Sequence, residues 1–86
     1  MAKKEDTLSK TYRERRARLA EYMKKCGIAA ALFEDTEGRR DPSVRYFTGH
    51  PSDALFIIFS DESNYLIPWD ENLAKNVAKA DKIIPY

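Results

Sequence analysis

Apolar or aromatic side chains at Leu8, Tyr12, Leu19, Tyr22, Met23 and Cys26 fall on one side of a 3.6-residue helix. Thr7 stands where an N-cap would sit, and Gly27 follows the last periodic residue, where a glycine takes the left-handed C′ conformation without a Cβ penalty. Lys24 and Lys25 then lie against the negative end of the helix dipole. The apolar run Ile28–Phe33 comes too soon after Gly27 for a loop, which predicts a buried strand packed directly on this first helix. Its three alanines favour helix, but the glycine before it and the polar stretch after it favour a separate strand. Glu34 to Pro42 is polar and reads as an exposed loop. Pro42 can open a single helical turn through Tyr46 and Phe47, which Gly49 and Pro51 break.

Ala54–Phe59 is apolar throughout and rich in β-branched and aromatic residues, the pattern of a central strand buried on both faces. Ser60–Asn64 is a turn, and Tyr65–Ile67, closed by Pro68, completes an antiparallel hairpin. Asp70 caps a second helix through Lys79, with Leu73, Ala74, Val77 and Ala78 facing inward and Asp70 and Glu71 in its favourable first turn. Lys82–Tyr86 carries a last strand signal. The order predicts one α/β domain over residues 1–86, a small mixed sheet with packed helices, in which residues 1–7 are flexible.

Composition narrows the classes of function. With 43% hydrophobic and 34% charged residues in 86, the chain can build one core, burying about 60 to 65% of its unfolded surface. No run of 18 or more apolar residues occurs, and Met1–Asp6 lacks the apolar stretch of a secretory signal, so a cytoplasmic location and no membrane partner are expected. A single cysteine and a single histidine exclude an internal disulfide and a His/Cys zinc cluster. No cofactor is expected in this chain. Residues 1–26 hold nine basic side chains against four acidic ones, which could attract nucleic acid. The commoner outcome is a solvated helix face, with Glu14–Arg18 and Glu21–Lys25 pairs in the favourable i,i+4 order.

Val44-Arg45-Tyr46-Phe47-Thr48-Gly49-His50, set between an apolar strand and the Leu55–Phe59 run, resembles the Tyr-Leu/Phe-Thr-Gly signature in the N-terminal domain of the creatinase, prolidase and aminopeptidase P family. The surrounding plan is similar too: Arg18-Leu19 to Cys26-Gly27-Ile28, then Leu66-Ile67-Pro68-Trp69, then Asn72-Leu73-Ala74, so that residues 12–86 are covered. Ser43 stands where relatives of the aminopeptidase P type often place Asp or Asn, and His50 where Phe is common. The resemblance implies a ribonuclease-H-like architecture, with three strands in a meander and the fourth beside the first, order 3-2-1-4. It also implies an incomplete N-terminal domain. The parent enzyme would be a metal-dependent Xaa-Pro dipeptidase or aminopeptidase, a hydrolase whose separate C-terminal domain holds two divalent metal ions and cleaves the bond before proline.

This chain alone is therefore expected to be inactive, with no catalytic and no metal-binding residue, contributing dimerisation and one wall of a cleft shared with a peptide substrate. The alternatives are a protein- or peptide-binding module without activity and nucleic-acid binding through the first helix. His50, Trp69 and Arg45 are the substrate-cleft candidates. His50, the one side chain that titrates near neutral pH, is otherwise a solvated loop histidine, Trp69 a cap on the hairpin, and Arg45, like Arg39 and Arg40, a surface ion-pairing cation near Asp41. Tyr46, Thr48 and Gly49 form the structural motif, with the Tyr46 ring expected beneath the sheet and Gly49 at positive φ. Cys26 reads as an inert core residue.

Overall fold

A computed structural model describes residues 7–85. Helix α1 spans Thr7–Cys26, strand β1 Ala30–Asp35, helix α2 Ser43–Thr48, β2 Ala54–Phe59, β3 Asn64–Pro68, helix α3 Glu71–Val77 and β4 Lys82–Ile83. The expected flexible segment lies outside the described residues except at Thr7, which is already helical.

Helix α1 ends as its sequence requires. Gly27 takes φ 72°, its N–H donating to the Lys24 carbonyl and that of Ile28 to the Met23 carbonyl at 2.8 Å. Asp70 caps α3 by accepting the Leu73 N–H at 3.0 Å. In α2, Pro42 sits at the N-cap without a side chain that can cap. The Asp41 carboxylate supplies the missing acceptor, taking the Ser43 N–H at 2.9 Å.

The sheet is mixed, as expected, with β1, β2 and β3 in an antiparallel meander and β4 parallel to β3. Its order is β1-β2-β3-β4, which corrects the expected 3-2-1-4. The reason is the short return from β3. Seven residues of α3 rise only about 10 Å, bringing Asp81 back to the start of β3, where the Asn64 Oδ1 accepts its N–H at 2.8 Å. The Ile84 N–H then donates to the Leu66 carbonyl at 2.8 Å. Reaching the far side of β1 would mean crossing three strand spacings, about 14 Å.

Alternation along the strands sorts the core. Ala54, Phe56 and Ile58 of β2 and Leu66 of β3 face inward and meet Leu19 and Met23 of α1, Val44 and Phe47 of α2, and Ala74 of α3. All three helices thus cover one face. The other carries Leu32, Leu55, Ile57, Phe59, Tyr65 and Ile67, in register through the pairs Leu32–Ile57, Ile57–Tyr65 and Leu55–Ile67, and it is only half-buried. The continuous apolar run of β2 therefore does not mark burial on both faces here. The molecule is 19 Å across its thinnest direction, the depth of one helix layer on one sheet.

Smaller departures have local causes. β1 begins two residues later than expected and runs on through Glu34 and Asp35, because Asp35 finds partners inside: its carboxylate accepts the Asp41 N–H at 3.1 Å and meets Arg40 at 3.3 Å. In α3 only Ala74 is buried, and Val77 is exposed. Cys26, at the free end of α1, is exposed and not a core residue. Lys25 pairs with Glu21 at 3.8 Å as expected, whereas Glu14 lies 3.9 Å from Lys10.

Candidate functional site

The residues between β1 and β2 converge on one end of the sheet. Arg40 bridges Asp35, at the end of β1, and Asp53, just before β2, with one guanidinium. The planar guanidinium suits this role, since each of its two terminal nitrogens reaches a different carboxylate and so fixes the loop from Thr36 to Pro42 against the sheet. Around this clamp opens a shallow cleft of about 260 Å³, lined by Asp35, Arg40, Asp41, Pro42, Arg45 and Pro51. Arg45 reaches along it from α2 and donates to the Pro51 carbonyl at 3.2 Å.

Of the three candidates, Arg45 lines this cleft. Trp69 continues the outward alternation of β3 and stands 45% exposed on the uncovered sheet face, its backbone N–H donating to the Asp53 carbonyl. His50 is fully buried behind α2, not solvated. The three candidates do not share one surface.

The Tyr-Phe-Thr-Gly segment is a joint between helices. The buried Thr48 hydroxyl donates to the Val44 carbonyl at 2.7 Å and accepts the His50 N–H at 3.1 Å. The Thr48 carbonyl accepts the Lys79 N–H at 2.7 Å, tying α2 to the residues after α3. Gly49 takes φ 78°, as expected. A Cβ there would lie 2.9 Å from the Tyr12 ring of α1. Tyr46 is not beneath the sheet: it is half-exposed, edge-on to Phe47 and covered by the Arg15 guanidinium 4.2 Å from its centroid.

Arg16 completes the joint and has no place in the sequence reading. It is buried on α1, and its Nη1 donates to the Phe47 carbonyl at 2.9 Å and to the Lys79 carbonyl. One cation so satisfies carbonyls at the ends of two other segments, which would otherwise be orphaned. The sequence does carry a signal: Arg16 falls on the Tyr12–Leu19–Met23 stripe, a charge on an apolar helix face.

His50 is the electrostatic anomaly. Neither ring nitrogen has a hydrogen-bond partner among the described residues. Burial pushes its pKa below the usual histidine range, and the nearby Asp53 backbone and the Asp70 and Asp35 carboxylates pull the other way without prevailing. The folded state therefore holds the neutral ring while the unfolded chain takes up a proton near its ordinary pKa of about 6.5. Stability is full above that value and falls as the pH drops below it, because the unfolded state binds more protons. Urea titrations at pH 7 and pH 5.5 are expected to show this loss in the native chain and not in His50→Leu; equal losses in both would refute it.

Among the described residues no group of three or more His, Cys, Asp or Glu side chains is placed to hold a metal ion. Asp35 and Asp53 are joined through the Arg40 guanidinium, which stands where a cation would have to sit, so these residues do not fit a metal centre. No helix among the described residues is long and apolar enough to cross a membrane.

Comparison with known proteins agrees with the motif and the fold. A family model described as Creatinase/Prolidase N-terminal domain matches residues 15–86. Neither the curated proteins nor the solved structures compared gave a match.

Proposed function

Because the chain belongs to the creatinase/prolidase N-terminal domain family, we propose that it serves as the non-catalytic N-terminal domain of a metal-dependent Xaa-Pro dipeptidase or aminopeptidase, contributing subunit contacts and one wall of the substrate cleft. The observation that carries this reading is the cleft beside Arg45. Its wall is fixed by the Arg40 clamp, and it offers a guanidinium and two proline rings. Such a surface can hold a peptide carboxylate and an apolar ring, and the described residues that line it include no nucleophile paired with a base. The two metal ions and the water they activate belong, in this reading, to a separate catalytic domain.

The same cleft suits a peptide-binding module without activity, which is the second reading. Nucleic-acid binding through α1 is less favoured, because Arg15 and Arg16 donate to the Tyr46 and Phe47 carbonyls.

Two measurements test the proposal. The chain with Mn²⁺, Co²⁺ or Zn²⁺ and an Xaa-Pro dipeptide is expected to release no proline, and metal-dependent release would overturn it. Titrating the same dipeptide into the labelled chain is expected to move the backbone NMR signals of Arg40, Asp41 and Arg45, with the movement lost in Arg45→Ala. Signals that stay fixed at millimolar dipeptide would remove the cleft from the proposal.

A further inference from the structure

The two edges of the sheet are not alike. β4 has only two residues, carries Lys82 and is followed by Pro85, so it is short, charged and blocked. β1 has six residues, Ala30–Asp35, with neither lysine nor proline nor a bulge in its register against β2. Leu32, at its middle, is 62% exposed. An edge of this kind is a template for another strand.

The hydrogen-bond pattern says which groups it offers. Asp53 and Trp69, and Phe59 and Ser63, are bonded pairs between β2 and β3 or their flanks, so alternation turns the intervening even-numbered residues of β2 toward β1. The Ser60 N–H accordingly donates to the Ala29 carbonyl. By the register of the two strands, Ala31, Phe33 and Asp35 face β2. The N–H and C=O groups of Ala30, Leu32 and Glu34 point to the open edge, centred on Leu32.

We propose that β1 pairs antiparallel with β1 of a second copy about a twofold axis at Leu32, joining the two sheets into one of eight strands. This register matches every offered group: Ala30 with Glu34 of the second copy, Leu32 with Leu32, and Glu34 with Ala30. Each Glu34 faces an alanine, whereas parallel pairing would set the two glutamates side by side, so charge selects the direction. The groove beside the edge, about 460 Å³, runs from Leu32, Phe33 and Glu34 to Arg39–Pro42. In the antiparallel register Ala31 and Ala30 of the second copy stand opposite Phe33 and Glu34, beside this groove. Thr36, next along this side, already exchanges both backbone hydrogen bonds with Arg39, so the edge open to a second copy ends at Glu34.

The inference deepens the subunit contact assigned above and rests on that reading only there; the test reads pairing and not peptide binding, so either can fail alone. Sedimentation of the full chain, of 9.9 kDa, is expected to show a concentration-dependent dimer. Leu32→Lys should weaken it at least tenfold by placing two cations at the axis. Leu32→Pro should do the same by removing the central outward donor while the β1–β2 ladder stays intact. In the native chain, hydrogen exchange at the Ala30, Leu32 and Glu34 amides should slow at least tenfold from dilute to concentrated samples, with Ala31 and Phe33 unchanged. That readout decides the matter even where a variant fails to fold. A monomer at millimolar concentration, a dimer indifferent to both variants, or slowed exchange confined to Ile83 would overturn the proposal.

Discussion

Replacing Arg16 by methionine is expected to lower the stability of the chain by about 3 kcal/mol, from the loss of two hydrogen bonds made by one charged group. The methionine stem keeps most of the packing that the arginine supplies along α1. What disappears is the contact to the Phe47 and Lys79 carbonyls. A domain of this size holds only about 4 to 13 kcal/mol in total, so the urea midpoint should fall far while the slope of the transition stays unchanged. Arg16→Lys should fall in between, because a compact ammonium lacks the planar fork. A loss below 1 kcal/mol in the methionine variant would mean that solvent satisfies both carbonyls and that Arg16 is not the joint described.

Gly49→Ala is expected to cost about 2 to 4 kcal/mol, and its two causes can be separated. One is the backbone: at φ 78° an L-residue loses about 1 kcal/mol or somewhat more relative to glycine. The other is space, since the new Cβ would come within 2.9 Å of the Tyr12 ring, and overpacking of this kind costs about 1 to 3 kcal/mol. Thermal melts should drop by about 10 °C or more. In a Tyr12→Leu background the same substitution should cost only the backbone part. An equal penalty in both backgrounds would show that α1 is free to shift away from residue 49.

These two positions mark how far the sequence could be read. Gly49 was legible, because a glycine after a short helical turn and before a proline has few other uses. β2 and the C-terminal end of α1 were legible for the same kind of reason, with strong local patterns and no competing partner. Arg16 was not, because periodicity registers a charge on an apolar stripe only as an interruption, and the carbonyls it serves lie 31 and 63 positions away. The extent of β1 was hidden likewise. Glu34 and Asp35 look like loop residues until Arg40 and the Asp41 amide supply partners for the buried Asp35 carboxylate.

The place of β4 depended on the length of α3 and on Asn64, neither of which carries a pairing signal in the sequence. His50 shows the opposite failure. A polar residue flanked by glycine and proline reads as solvated loop, yet the Thr48 hydroxyl holds its backbone and the turn drives the ring inward. Arg45 lies on α2 beside the motif and lines the cleft. Asp35, Arg40 and Asp53, which fix that wall, were separated by too many residues to be grouped.

The uncovered sheet face bears on how the folded state is recognised at the bench. Leu32, Leu55, Ile57, Phe59, Tyr65 and Ile67 give the native domain an apolar surface expected to take up anilinonaphthalene dyes, a response ordinarily used to diagnose a molten globule. Dye fluorescence should therefore accompany the native state and fall, not rise, as urea unfolds it. The helix-covered side, where Phe56, Ile58 and Leu66 are fully enclosed, is the part whose sharp side-chain NMR signals separate an ordered core from a merely collapsed one.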